Sequence, residues 1–182
     1  MNAFDVDRAL FSAVEFLEYR HLAYAVIGGM ALAQWGVVRA TLDVDFKIAV
    51  PDTDYAAVRD LLVRRFPLPG RPDLPTNPLI VSVDADGVIV DFLLALPGYD
   101  SGVVDRAIRK SYKGHEIRFC SAEDLIILKA VAARPRDWLD IEGLVEAQRS
   151  RLNLDFIRDW SDQFAEALER PEISDRLRTY FR

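Results

Sequence analysis

In the run VIVDFLL, residues 88–94, Asp91 is the lone charge among apolar side chains. A segment of this kind belongs inside a sheet. An unpaired carboxylate buried there costs several kcal/mol, so Asp91 needs a partner. A second apolar segment, LDVDF at 42–46, carries two more acids. Side chains alternate across a strand, so Leu42, Val44 and Phe46 share one face while Asp43 and Asp45 share the other. Like charges that close must take up a proton, stay wet or bind a cation. If the two strands are neighbours, one Mg²⁺ serves all three carboxylates, because hard divalent cations prefer oxygen ligands. The competing reading places Asp43 and Asp45 on a solvated sheet face, as alternation often implies.

The 182 residues fit one compact domain with a small attached lobe. With 51% hydrophobic and 29% charged residues, the chain buries enough surface to fold without disulfides or a structural metal. Its single cysteine, Cys120, excludes an internal disulfide and a multi-cysteine zinc site, which favours a reducing, cytoplasmic setting. The N-terminal MNAFDVDRAL carries acids where a secretory signal needs positive charge. The longest uncharged stretch, 23–38, is too short to span a bilayer, so no membrane is expected. A net charge of −6 argues against a protein that coats nucleic acid through phosphate contacts. A local basic patch on an RNA-modifying enzyme is still compatible with it.

Val6, Leu10, Phe11, Val14 and Leu17 recur at spacings of three and four, which predicts an amphipathic helix over 5–20. A short strand is expected at 22–27, a helix at 30–35 and a strand at 42–50. Asp52 and Asp54 are expected to open a helix that runs to Phe66. Five prolines at 67, 69, 72, 75 and 78 make 66–78 a loop, either a functional lid or a simple connection. Strands at 79–83 and 88–94 flank Asp84-Ala85-Asp86-Gly87, a hairpin turn of the Asp-Gly kind. A helix at 103–109 and a strand at 116–119 follow. From Ser121 the pattern is helical: Ser121 and Asp124 have capping-box spacing, and Pro135 should stop the helix they launch. Further helices begin near Asp137, Leu154 and Glu172. The expected class is α+β: a mixed sheet flanked by helices over 1–120, followed by a helical subdomain over 121–182.

Gly28-Gly29 follows a strand and opens a helix. Glycines there allow close backbone approach, and free N–H groups at a helix start suit a phosphate. A tight turn needing positive φ explains them equally well on their own. Joined to acids on the adjacent strand, they make equipment for metal-assisted phosphoryl or nucleotidyl transfer. Just upstream of the acids, Arg39 is either a surface arginine or a planar fork that reaches a phosphate, and Thr41 could fix the nucleotide or the loop.

GGMALAQWGVVRATLDVDF followed by VIVDFL resembles the polymerase-β-type nucleotidyltransferase superfamily. The resemblance implies a nucleotidyltransferase fold in which Asp43, Asp45 and Asp91 hold Mg²⁺, or Mn²⁺ in its place, and Asp91 acts as base on the attacking hydroxyl. Gly29 stands where many members have Ser. RATLDVDF and SAEDLIILKAVAARPRDWLDIEGL further resemble the AbiEii-like branch, which includes toxins of type IV toxin–antitoxin systems.

Within the second segment Lys129 is the only charge in 125–133, on a helical stripe with Ala122, Ile126 and Ala133. One reading is a lysine that snorkels, its head in water. The other, implied by the resemblance, is a cation placed over the triphosphate. Asp137 and Asp140 lie on one face at a helix start, where acids are favourable in any case. The resemblance makes Asp137 a site residue on the nucleotide side and Asp140 a partner for Lys129 or an arginine. His21 and His115 have no metal-ligand spacing. The function expected from the whole set is NMP transfer from an NTP to an acceptor hydroxyl of RNA, such as tRNA, or of protein. A toxin with a cognate antitoxin is the implied setting. The alternatives are a non-catalytic nucleotide- or partner-binding module and an aminoglycoside-type small-molecule nucleotidyltransferase.

Overall fold

The computed structural model of the chain describes residues 3–68 and 77–181. Most of the predicted 66–78 loop therefore lies outside the described residues. The chain divides into two compact units, Met1–Met30 with Ala40–Cys120, and Ala31–Arg39 with Ser121–Arg182.

The first unit is a mixed sheet with helices. It contains α1 (Ala3–Tyr19), β1 (Tyr24–Ile27), the start of α2 (Gly28–Gln34), β2 (Asp43–Ile48), α3 (Tyr55–Arg65), β3 (Ile80–Ala85), β4 (Val88–Leu94), α4 (Tyr99–Asp105), β5 (Ile108–Tyr112) and β6 (His115–Phe119). The strand order is β3-β4-β2-β1-β6-β5. β2 pairs antiparallel with β1 and parallel with β4, so the two acid-bearing strands are direct neighbours.

Local chemistry explains several boundaries. The β3–β4 hairpin turns on Asp86 and Gly87, both at positive φ, as a two-residue turn of the I′ kind requires. Asp84 Oδ1 accepts the Gly87 N–H at 2.6 Å, and β3 runs to Ala85 rather than stopping at Val83. Asp54 caps α3, its Oδ1 accepting from Ala57 N–H at 3.0 Å. The residues before it, Pro51–Thr53, form a separate 3₁₀ turn rather than the first turn of that helix. The helix expected at 103–109 is corrected to α4 at Tyr99–Asp105 followed by β5. β5 is an edge strand whose side chains are exposed or half-buried, so it carries no apolar alternation to read.

One sheet face is the core. Val44, Phe46 and Ile48 on β2 and Val90, Phe92 and Leu94 on β4 are buried there. Phe46 stacks on Phe92 at 5.4 Å between ring centroids and meets Tyr24 edge-on at 5.8 Å. Phe66, just past α3, lies between Phe92 and Phe16 of α1, at 5.9 and 5.5 Å. Each buried aromatic of this kind contributes roughly 2 kcal/mol of transfer free energy. The opposite face carries a row in register across four strands: Ile27, Asp45, Asp91 and Ser82. One step along, the row is Ala25, Lys47, Leu93 and Ile80. α4 covers this second row, where Lys47 Nζ donates to Asp100 Oδ1 at 2.6 Å.

The second unit comprises Ala31–Arg39, α5 (Ala122–Ala132), α6 (Pro135–Gln148), α7 (Leu154–Ala167) and α8 (Glu172–Tyr180). Ser121 caps α5, its Oγ accepting from Asp124 N–H at 3.0 Å. Ala133 closes the helix in the left-handed region before Pro135 can interrupt it. Leu125, Ile126 and Ile127 of α5, Trp138 and Ile141 of α6, Ile157 of α7 and Ile173 of α8 are buried. Gln148 Nε2 donates to the Trp35 carbonyl at 2.9 Å and ties Ala31–Arg39 to α6. Among the described residues no helix is long and apolar enough to cross a membrane.

Phe46→Ala should cost about 3–5 kcal/mol of unfolding free energy through the cavity left between Tyr24 and Phe92. Urea denaturation checks this: a lowered midpoint at constant slope is expected, and a loss below about 1 kcal/mol would show that the aromatic row does not carry the core.

Candidate functional site

The site begins where β1 runs into Gly28 and Gly29. A Cβ on Gly28 would lie 1.9 Å from Asp45 Oδ2, and Gly28 sits at φ +65°. A Cβ on Gly29 would lie 2.4 Å from Thr41 Oγ1 and 2.7 Å from Thr41 Cβ. Both glycines are therefore required by the close approach of the chain entering and forming β2. α2, which these glycines open, is seven residues long.

Asp45 and Asp91 are register partners across the parallel β2–β4 ladder, with their side chains on one face. Strand neighbours lie about 4.8 Å apart, which makes this a close pair of like charges. Asp91 Oδ1 is buried and has no hydrogen-bond partner. Asp43 is exposed on the same face of β2 and accepts a 2.8 Å hydrogen bond at Oδ1 from Thr41 Oγ1. Among the described residues no three histidine, cysteine or carboxylate side chains are gathered so as to hold an ion. The donor set nonetheless suits a hard divalent cation. Its donors are all carboxylate oxygens, two of the acids are ladder partners, and one buried oxygen lacks a partner.

The helical unit brings together a second charged set. Lys129, with 7% of its side chain exposed, donates from Nζ to Asp140 Oδ2 at 2.6 Å and to Asp137 Oδ1 at 3.2 Å. Asp140 Oδ1 lies 3.1 Å from Arg39 Nε. Asp137 Oδ2 accepts from Arg134 Nε at 2.7 Å and from the Arg134 N–H at 3.2 Å, capping α6. The reading of Lys129 as a snorkelling lysine is thereby corrected, because the ammonium is buried between two carboxylates. Burial pushes the Asp137 carboxyl up, but hydrogen bonds from Arg134 and the charge of Lys129 outweigh this and hold it below its ordinary value.

Three groups on the acid face were not singled out from the sequence. Lys47 follows Asp43 and Asp45 in the same alternation, and that spacing alone puts it on their face. Asp100 depends on α4 folding over β2, which no local pattern announces. Ser82 faces Asp91 only through the β3–β4 register.

Removing Lys129 leaves two buried carboxylates without their shared cation, so Lys129→Met should destabilise the chain by about 3–5 kcal/mol. Asp137, depressed in the folded state, contributes stability that is complete above its ordinary value and is lost as pH falls below about 4. Urea denaturation between pH 7 and pH 3 should show this acid loss, and Lys129→Met should make it shallower. Equal slopes in the two proteins would show that Lys129 does not hold Asp137 ionised.

Residues 6–179 match the model of a family described as "Nucleotidyl transferase of unknown function (DUF2204)". No curated protein matches the chain. Among solved structures it is similar to the antibiotic-resistance factor ANT(2'')-Ia, at 17% identity and TM-score 0.63, over 94% of this chain and 97% of that one. An antigenic nucleotidyltransferase-like protein from Paracoccidioides brasiliensis gives 15% identity and TM-score 0.55, over 98% of this chain and 94% of that one. The lincosamide antibiotic adenylyltransferase LnuA, solved with lincomycin bound, gives 15% identity and TM-score 0.53, over 78% and 97% respectively. At these identities the structures share a fold, which is the nucleotidyltransferase-like one expected. The family match covers almost the whole chain, and the chain belongs to the DUF2204 nucleotidyl transferase family.

Proposed function

We propose that the chain is a divalent-metal-dependent nucleotidyltransferase that moves an NMP from an NTP onto an acceptor hydroxyl. The observation that carries this reading is the Asp45–Asp91 ladder pair, with a buried, unpartnered Asp91 oxygen beside a Gly28 that admits the Asp45 carboxylate. Asp43, Asp45 and Asp91 are the residues that would hold Mg²⁺ or Mn²⁺. When bound, the cation neutralises phosphate charge. Asp91 also serves as the base. It takes the proton of the acceptor hydroxyl as that oxygen bonds to the α-phosphorus, the bond from the α-phosphorus to the bridging oxygen breaks, and pyrophosphate leaves. Arg39, half-buried with Nε against Asp140, is the side chain we assign to a phosphate, because a guanidinium fork so held is already oriented. Lys129 and Asp137 support that arrangement from within the helical unit.

Two acceptor classes follow from different observations. RATLDVDF and the 121–144 segment, through their resemblance to the AbiEii-like branch, support RNA or protein as acceptor in a toxin with a cognate antitoxin. A small hydroxylated molecule is supported by the fold likeness to ANT(2'')-Ia, seen with adenylyl-2''-tobramycin, and to LnuA, seen with lincomycin. The net charge of −6 also suits a small acceptor better than a polyanion.

Labelled NTPs with Mg²⁺ and, in parallel, total tRNA, cell protein, aminoglycosides and lincosamides test the reading. Transfer to one acceptor class is expected, and Asp91→Asn should slow it by roughly 10²–10⁴-fold. Absence of transfer to every acceptor, or an unchanged rate in Asp91→Asn, would sink it. Induced expression separates the acceptor classes, since growth arrest marks a toxin and drug resistance marks a small-molecule transferase.

A further inference from the structure

Thr41 joins two motifs that are separate in sequence, the Gly-Gly turn and the paired acids of β2. Its hydroxyl donates to Asp43 Oδ1 at 2.8 Å and lies 3.3 Å from the Asp43 carbonyl oxygen. The other side of the same hydroxyl is packed against Gly29, at a distance no Cβ could tolerate. A side chain is thus excluded at Gly29 so that Thr41 can reach Asp43.

A threonine hydroxyl has one proton to donate. Phosphate oxygens of an NTP are acceptors, and the proton they would need is already given to Asp43. The bond also fixes one oxygen of the Asp43 carboxylate and the rotamer of its side chain, leaving the other oxygen to face a ligand. We propose that Thr41 is a positioning residue that presents Asp43 to the divalent cation, rather than a group that touches the nucleotide. This rests on the metal-dependent reading of the carboxylates given above. It assigns the hydroxyl the part that hydrogen-bonding partners of metal-ligating carboxylates play in general, whose loss costs metal affinity.

Mn²⁺ binding to the full chain without nucleotide, followed by electron paramagnetic resonance, tests the assignment independently of turnover. Thr41→Val keeps the shape and removes the donor. It should weaken Mn²⁺ binding by about 10–100-fold, while Thr41→Ser, which keeps the donor, should stay within about 3-fold of wild type. Circular dichroism confirms that each variant is folded, and Thr41→Ala replaces Thr41→Val if that protein is not. Unchanged Mn²⁺ affinity in the folded donor-less variant overturns the role of Thr41 alone. So does a raised KM for NTP at saturating Mn²⁺ with metal affinity intact, the result a direct nucleotide contact would produce. A wild type that binds no Mn²⁺ overturns the metal-dependent reading, and the role of Thr41 falls with it.

Discussion

The first unit depends on a contact made possible by missing side chains. Gly28 and Gly29 present bare backbone to Asp45 and Thr41, at separations that any Cβ would violate. That approach accompanies the antiparallel pairing of β2 with β1, where Asp45 lies opposite Ile27. It also decides what β2 can offer on its far side, where the parallel pairing with β4 sets Asp45 beside Asp91. A methyl group at either glycine would push the entry to β2 aside, and with it the alignment of both acids. The glycines therefore shape the entry to β2 through geometry.

The two charged sets follow opposite electrostatic logics. In the helical unit, Lys129, Arg39 and Arg134 surround Asp137 and Asp140 closely enough to satisfy buried carboxylates within the protein itself. Such pairs gain little net stability over apolar packing and are costly to break, which makes them devices for fixing one arrangement. On the sheet face, by contrast, like charges are ladder partners and the buried oxygen of Asp91 finds no hydrogen bond. The cation and polyphosphate of the proposed reaction would call for such an asymmetry, because a fully satisfied cluster would bind neither.

How much could be read in advance follows from the range of the interactions. Asp91 stood out because its own neighbours in sequence are all apolar, and the face shared by Asp43 and Asp45 follows from strand alternation. The mixed α/β fold was legible for the same reason, since most elements carry their period in their own residues. β5 was not, because an edge strand has little apolar side to display. The burial of Lys129 was not legible either: the stripe showed a charge on an apolar face, but its carboxylates come from the next helix. Thr41 illustrates the boundary. Its proximity to the acids was evident, while its hydrogen bond and its packing against Gly29 depend on how the chain folds back.

The parallel β2–β4 pairing has a consequence for the order of assembly. Parallel neighbours cannot be joined by a tight turn, and here α3, the connection that follows it and β3 intervene. β3 and β4 can zip locally through Asp86-Gly87, whereas β2 must wait for the hairpin to arrive from far along the chain. On the acid face the Asp45–Asp91 pairing sets two carboxylates side by side, which works against the docking of the two strands. The drive comes from the opposite face, where Phe46 stacks on Phe92. The aromatic pair and the acidic pair are the two sides of one docking event, so hydrophobic association on one surface performs the electrostatic work of assembling the other.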